Sequence, residues 1–175
     1  GALEEYLTLT DGMSVSRELL EALLEGMVRD LRVCRQAPSD ENARSSLMWR
    51  CALWGSRFFQ LGRRFSFPAL PVREAAILSA SDWEEYAGVL AVLLLSLCRR
   101  EAEHHPAVMA RMACRLWELP GQGRTEAQLA RGGVKALESL AEELGLPVQP
   151  EQLGAAVQNR LGQLSTPQNL LVHTA

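Results

Sequence analysis

Residues 81–100, SDWEEYAGVLAVLLLSLCRR, decide the fold class of this chain. Ser81 with Glu84 three residues on has the spacing of a capping box, in which two side chains satisfy backbone N–H groups left open at a helix start. From Ala87 to Cys98 every position except Ser96 is apolar or small. A helix that is apolar all round has no face for water and is buried among other elements. The expectation is an all-α fold, a multi-helix bundle of about six to eight helices around a central apolar helix at 82–100. Leu90, Leu93, Leu94 and Leu97 are expected to be nearly fully buried.

Working outward, strand signals are scarce, and leucine, alanine, glutamate and arginine, all good helix formers, dominate. A short helix is read over Leu3–Leu9. Ser14 can cap the next, whose apolar set Val15, Leu19, Leu20, Leu23, Leu24, Met27, Val28 and Leu31 keeps helical spacing up to Pro38. A third helix opens at Ser39-Asp40 and runs to about Phe65, where two prolines, Pro68 and Pro71, forbid continuation. Val72–Leu78 reads as a short helix, and Pro106 can start the helix after the central one. Pro120–Gly123 is a loop. Thr125 with Gln128 is a second capping box, opening a helix that must tolerate Gly132-Gly133 and ends at Gly145. A last helix is read over Pro150–Leu164, with one turn capped by Thr166-Pro167. The domain reading is a main bundle at 1–120 and a C-terminal helical subregion at 121–175 packed on the same domain.

The 175 residues suffice to bury a core without staples. A net charge of −3 argues against bulk affinity for phosphate backbones or anionic membranes. The longest apolar run, about 12 residues, is short of the roughly 20 needed to span a bilayer. Cys34, Cys51, Cys98 and Cys114 stand far apart inside apolar patterns and read as buried free thiols, which points to a reducing compartment, cytoplasmic or nuclear. No secretory signal is read at the start, and an opening Gly1-Ala2 without methionine fits a piece of a longer protein.

Motifs for chemistry are weak. Glu101, Glu103, His104 and His105 are the one local cluster of metal-capable side chains, but at a helix end histidine complements the dipole and carboxylates are solvated. No G-x-S-x-G elbow or phosphate loop occurs, so no catalytic, cofactor or metal residue is assigned. Residues 140–161 outline a helix-turn-helix. Its second helix offers Glu151, Gln152, Gln158, Asn159 and a single Arg160, too little basic charge for phosphate contacts, and it reads as a corner of the bundle.

One stretch does suggest a function. Arg50, Arg57 and Arg64 recur every seven residues on the third helix, Arg63 adjoins them, and Trp49 lies beside Arg50. Leu47, Cys51, Trp54, Phe58 and Leu61 follow a stripe expected to serve the core, leaving Trp49, Arg50, Arg57, Arg63 and Arg64 to meet a partner. Tryptophan and arginine lead the residues that dominate interfaces. The expected function is a non-enzymatic protein–protein interaction module, an adaptor, regulator or assembly subunit, with a second copy of the chain among its candidate partners. The alternative is a nucleic-acid-associated regulator using the 140–161 pair, and a third reading is an unrecognised enzyme or a small-ligand pocket between helices.

Overall fold

A computed structural model describes residues 2–7, 9, 14–56, 76–77 and 79–163. Among them the chain is all-α, with seven α-helices and no strand. It forms two compact units, residues 1–65 and 66–175.

The first unit holds α1 (Ala2–Leu7), α2 (Ser14–Gln36) and α3 (Glu41–Gly55). Leu20, Leu23 and Leu24 of the expected α2 stripe are buried, whereas Val15 and Leu19 near its N-terminus stay exposed. Asp40 caps α3, its Oδ1 accepting from the Ala43 N–H at 2.9 Å. The described part of α3 ends at Gly55, with the Ser56 N–H donating to the Leu53 carbonyl at 3.3 Å. The expected extension to Phe65, the break at 65–71 and most of the helix at 72–78 lie outside the described residues.

The second unit holds α4 (Trp83–His104), α5 (Pro106–Trp117), α6 (Glu126–Glu143), a 3-10 turn (Pro150–Gln152) and α7 (Ala155–Gln163). The start of α4 is shifted by one residue from the expected box. Asp82 is the N-cap, accepting from the Glu85 N–H at 2.8 Å, and Glu85 reaches back to the Ser81 N–H at 2.7 Å. Aspartate caps as well as serine and its charge complements the helix dipole, so it takes the position.

The helix is also less enclosed than its composition suggests. Gly88, Val89, Val92, Leu95, Leu97, Cys98 and Ala102 are buried, but Leu90, Leu93 and Leu94 are only half-buried. Apolar content shows that a helix avoids water, not which side packs. Gly88 decides the side here, because it lets Pro147 and Leu153 close in to 3.2 and 3.6 Å of where a Cβ would stand. Val89 and Val92 then cluster with Ala76, Leu153 and Val157, and Leu95 clusters with Ala141 and Val148.

Two arginines tie these layers. Arg99 donates to Glu138 Oε1 at 2.9 and 2.7 Å and to the Val148 carbonyl at 2.9 Å. Arg160 donates to the Ser79 carbonyl at 2.6 Å and to Glu85 at 2.7 Å.

The adjacent glycines of α6 have a packing reason. A Cβ on Gly133 would stand 2.9 Å from the Ala113 Cβ and 3.3 Å from the Met109 carbonyl oxygen, so α5 and α6 cross with backbone almost in contact. Thr125 and Gln128 form the expected reciprocal box. Gly145, at φ 74°, ends α6 in a Schellman turn, with Gly145 and Leu146 N–H groups bonded to the Glu142 and Ala141 carbonyls. The last expected helix is split. Gln152 Oε1 takes the N–H groups of Val148 and Gln149 at 2.7 and 2.9 Å, holding a 3-10 turn, and Leu153 is extended before α7 begins. Thr166-Pro167 lies outside the described residues.

Candidate functional site

Among the described residues α3 is packed on one side only. Its inner side carries Ala43, Ser46, Leu47, Arg50 and Trp54, which are buried or half-buried, and Ala43 alone is fully buried. Polar bonds hold this side down. Ser46 Oγ and Arg50 Nε both donate to Asp30 Oδ2 of α2, at 2.6 and 2.8 Å. Trp54 Nε1 donates to Glu5 Oε2 of α1 at 2.6 Å. Gly26 makes room for Arg50, since a methyl group there would overlap the guanidinium. Burial acts to raise the Asp30 carboxyl, but the bonds from Ser46 and Arg50 and the charges of Arg50 and Arg29 outweigh it and hold the group below the usual carboxylate range.

Beside this contact, Tyr6 donates to Glu21 Oε1 at 2.9 Å under the guanidinium of Arg17, 5.4 Å above the ring. Burial, and then the charge of Glu21, push the Tyr6 phenol up to about 12.

The outer side of α3 is different in kind. Met48 is 70% exposed, Trp49 74% and Leu53 47%, with Arg44, Ser45, Cys51 and Ala52 exposed around them. Glu41, Arg44, Ser45, Met48, Trp49 and Ala52 line an open depression of about 500 Å³. Charge is confined to its N-terminal end, at Glu41 and Arg44. Large apolar side chains are normally spread singly over a surface, and three on one helix face form a patch of the kind that marks interaction sites.

The five residues expected to meet a partner fare differently. Trp49 is exposed, whereas Arg50 is turned inward and engaged by Asp30. Arg57, Arg63 and Arg64 lie outside the described residues, as do Phe58 and Leu61. Cys51, expected in the core, is exposed. Leu47 and Trp54 face inward as read, whereas Met48 and Leu53 are exposed with Cys51, so the apolar surface is larger than the sequence implied. No sequence signal marks this face, because what sets Met48 and Ala52 on the far side is the bond from Arg50 to Asp30, twenty residues earlier.

Other sequence features are absorbed by the fold. His105 Nδ1 sits 3.0 Å from Glu101 Oε2, an i, i+4 pair at the end of α4, and among the described residues no third metal-capable side chain joins a cluster. In the 140–161 segment Arg160, its one basic residue, spends its guanidinium on Ser79 and Glu85. Cys98 is buried, and that burial, with the charge of Glu101, pushes its thiol up to about 12. Ile77 and Trp83 are also exposed, and the Trp83 ring meets Tyr86 edge-on with centroids 5.5 Å apart. No helix of the described residues is long and apolar enough to cross a membrane. The sequence matches no protein-family model and no curated protein sequence.

Proposed function

We propose that this chain is a non-enzymatic protein-interaction module, an adaptor, regulator or assembly subunit, and that the outer face of α3 is where it binds. The observation that carries the reading is the contrast between the two sides of one helix. The inner side is fixed by three polar anchors to α1 and α2, and the outer side leaves a tryptophan, a methionine and a leucine in water. Fixing a helix this firmly reduces the ordering cost of any partner that docks on it. The make-up of the face, apolar and aromatic at the centre with arginine at the edge, is that of an interface centre and its rim. A photo-reactive amino acid placed at Ser45 on this face should capture a second polypeptide covalently in cells, and the same group at Arg131 on the exposed side of α6 should not. Equal capture from both positions, or none from Ser45, would put the interface elsewhere.

A further inference from the structure

On the reading that the outer face of α3 binds a partner, we propose that α1 is a clasp. Docked across the open end of the α2–α3 pair, it holds the last turn of α3, and so the binding face, in place. α2 and α3 are joined at residues 37–40 and run antiparallel, with Ser46 bonded to Asp30 and Arg50 reaching to Gly26. The C-terminal end of α3 and the first half of α2 therefore lie at the end of the pair that the connection leaves open.

Up to Arg50, α2 holds α3 directly. Beyond it the hold changes hands. Cys51, Ala52, Leu53, Gly55 and Ser56 are exposed, and only Trp54 in this stretch is half-buried. Its Nε1 donates to Glu5 Oε2 of α1 at 2.6 Å. α1 is tied in turn to the first half of α2. Tyr6 donates to Glu21 Oε1 at 2.9 Å, and Arg17 Nη2 donates to the Leu9 carbonyl, just past α1, at 3.1 Å. The Arg17 guanidinium also stands 5.4 Å from the centre of the Tyr6 ring. A path of contacts thus runs from the last turn of α3 through α1 to α2.

α1 is helical only because it is seated. Its 6 residues are well short of the roughly 12–15 at which an isolated helix becomes marginal in water. Yet Ala2, Glu4, Glu5 and Tyr6 are buried, so what α1 gains comes from its seat. A terminal element of this length opens at a lower cost than the long helices it joins. When α1 leaves, Trp54 loses the Glu5 acceptor, and the last turn of α3, whose final carbonyls have no intrahelical donors, frays back toward Arg50. Leu53 lies in that turn, one turn after Trp49, and the two share a fixed side of α3 only while the turn is formed. Binding at this face therefore needs α1 docked, and whatever frees α1 weakens binding.

Hydrogen exchange of the full 175-residue chain, read by mass spectrometry, tests the clasp. Tyr6→Ala removes the tie to α2, and Trp54→Phe removes the donor to Glu5. In Tyr6→Ala the amides of 3–7 and 52–56 should exchange about 10-fold faster or more, while those of 26–50 change less than about 2-fold. Trp54→Phe should give the same pattern at smaller size, and both should leave 83–163 unchanged. The photo-reactive group at Ser45 should capture its partner several-fold less in Tyr6→Ala. Exchange at 52–56 that ignores both variants, or that rises evenly across 14–56 in both, would overturn the inference; in the second case α1 is an ordinary part of one cooperative core. The expected exchange with undiminished capture would overturn it too, because the face would not depend on the clasp. Failure of the interaction reading gives a different result. With no capture from Ser45 in the unaltered chain, that reading falls and control of binding falls with it, while the exchange pattern still decides whether α1 is a clasp.

Discussion

Gly132 and Gly133 stand side by side in α6 and differ only in what an added methyl group would meet, which turns them into a test of the α5–α6 crossing. At either position, alanine in place of glycine in a helix interior favours the helix by about 1 kcal/mol. A Cβ at Gly132 would meet only the Leu119 Cδ1, at 2.9 Å, the free end of a side chain that can rotate away. Gly132→Ala should therefore be neutral or up to about 1 kcal/mol stabilising. A Cβ at Gly133 would meet the Ala113 Cβ at 2.9 Å and the Met109 carbonyl oxygen at 3.3 Å. Neither can rotate, so the helices must part, and overpacking of this kind costs about 1–3 kcal/mol. Net of propensity, Gly133→Ala should lose about 0–2 kcal/mol and fall about 1–3 kcal/mol below Gly132→Ala. Urea unfolding followed by far-ultraviolet circular dichroism measures both variants. Ala113→Gly in the Gly133→Ala background should recover about 1 kcal/mol beyond additivity, because it returns the missing space. Equal stability of the two alanine variants, with no coupling to Ala113, would refute the close crossing.

Further predictions concern single residues. Glu118 holds a left-handed φ of 51° at the end of α5, so Glu118→Gly should raise stability by about 0.5–1 kcal/mol by thermal melting; Glu118→Ala matching that gain would contradict the backbone argument. Arg50→Met should destabilise the first unit by about 2–4 kcal/mol, because it leaves the Asp30 carboxylate, whose side chain is 9% exposed, with one donor fewer; a loss within 0.5 kcal/mol would show that the pair is no anchor. The Tyr6 phenol is raised from 10.0 to about 12, so its contribution is complete below pH 10.0 and is lost as the pH rises through that window. Urea stability should drop between pH 10 and 12, and Tyr6→Phe should drop less; equal losses would show that Tyr6 does not titrate this way. For Asp30, held low, the sign is opposite. Its contribution is complete above the ordinary aspartate value of about 3.9 and is lost as acid is added below it.

The elements of this fold were legible where local chemistry sets them. Thr125, Gln128 and Gly145 bond their own backbone neighbourhood, and the structure keeps those contacts as their spacing implies. What depends on partners distant in sequence was not legible. The Ser81–Glu84 spacing gave way to Asp82 because two neighbouring residues could each cap the helix. Leu90, Leu93 and Leu94 are only half-buried, and Leu90 and Leu93 pack on the Val89–Val92 cluster without being enclosed by its distant partners Leu153 and Val157. By propensity alone Gly133 is a helix liability, and its packing reason lies in Ala113 on α5, twenty residues earlier. At the candidate site, the tryptophan and arginine signal drew attention to α3, and Trp49 is exposed there. The role of Arg50 was hidden, since a bond to Asp30 twenty residues earlier leaves no periodic trace.

Covalent oxidative footprinting tests most directly whether the outer face of α3 is covered when the protein is at work. Met48 and Trp49 should label fast in dilute purified protein. In cells they should be protected at least several-fold, while Trp83, 83% exposed on the other unit, labels equally in both. Protection of Trp83 in place of Met48 and Trp49, or labelling of all three that never changes, would rule out binding at this face.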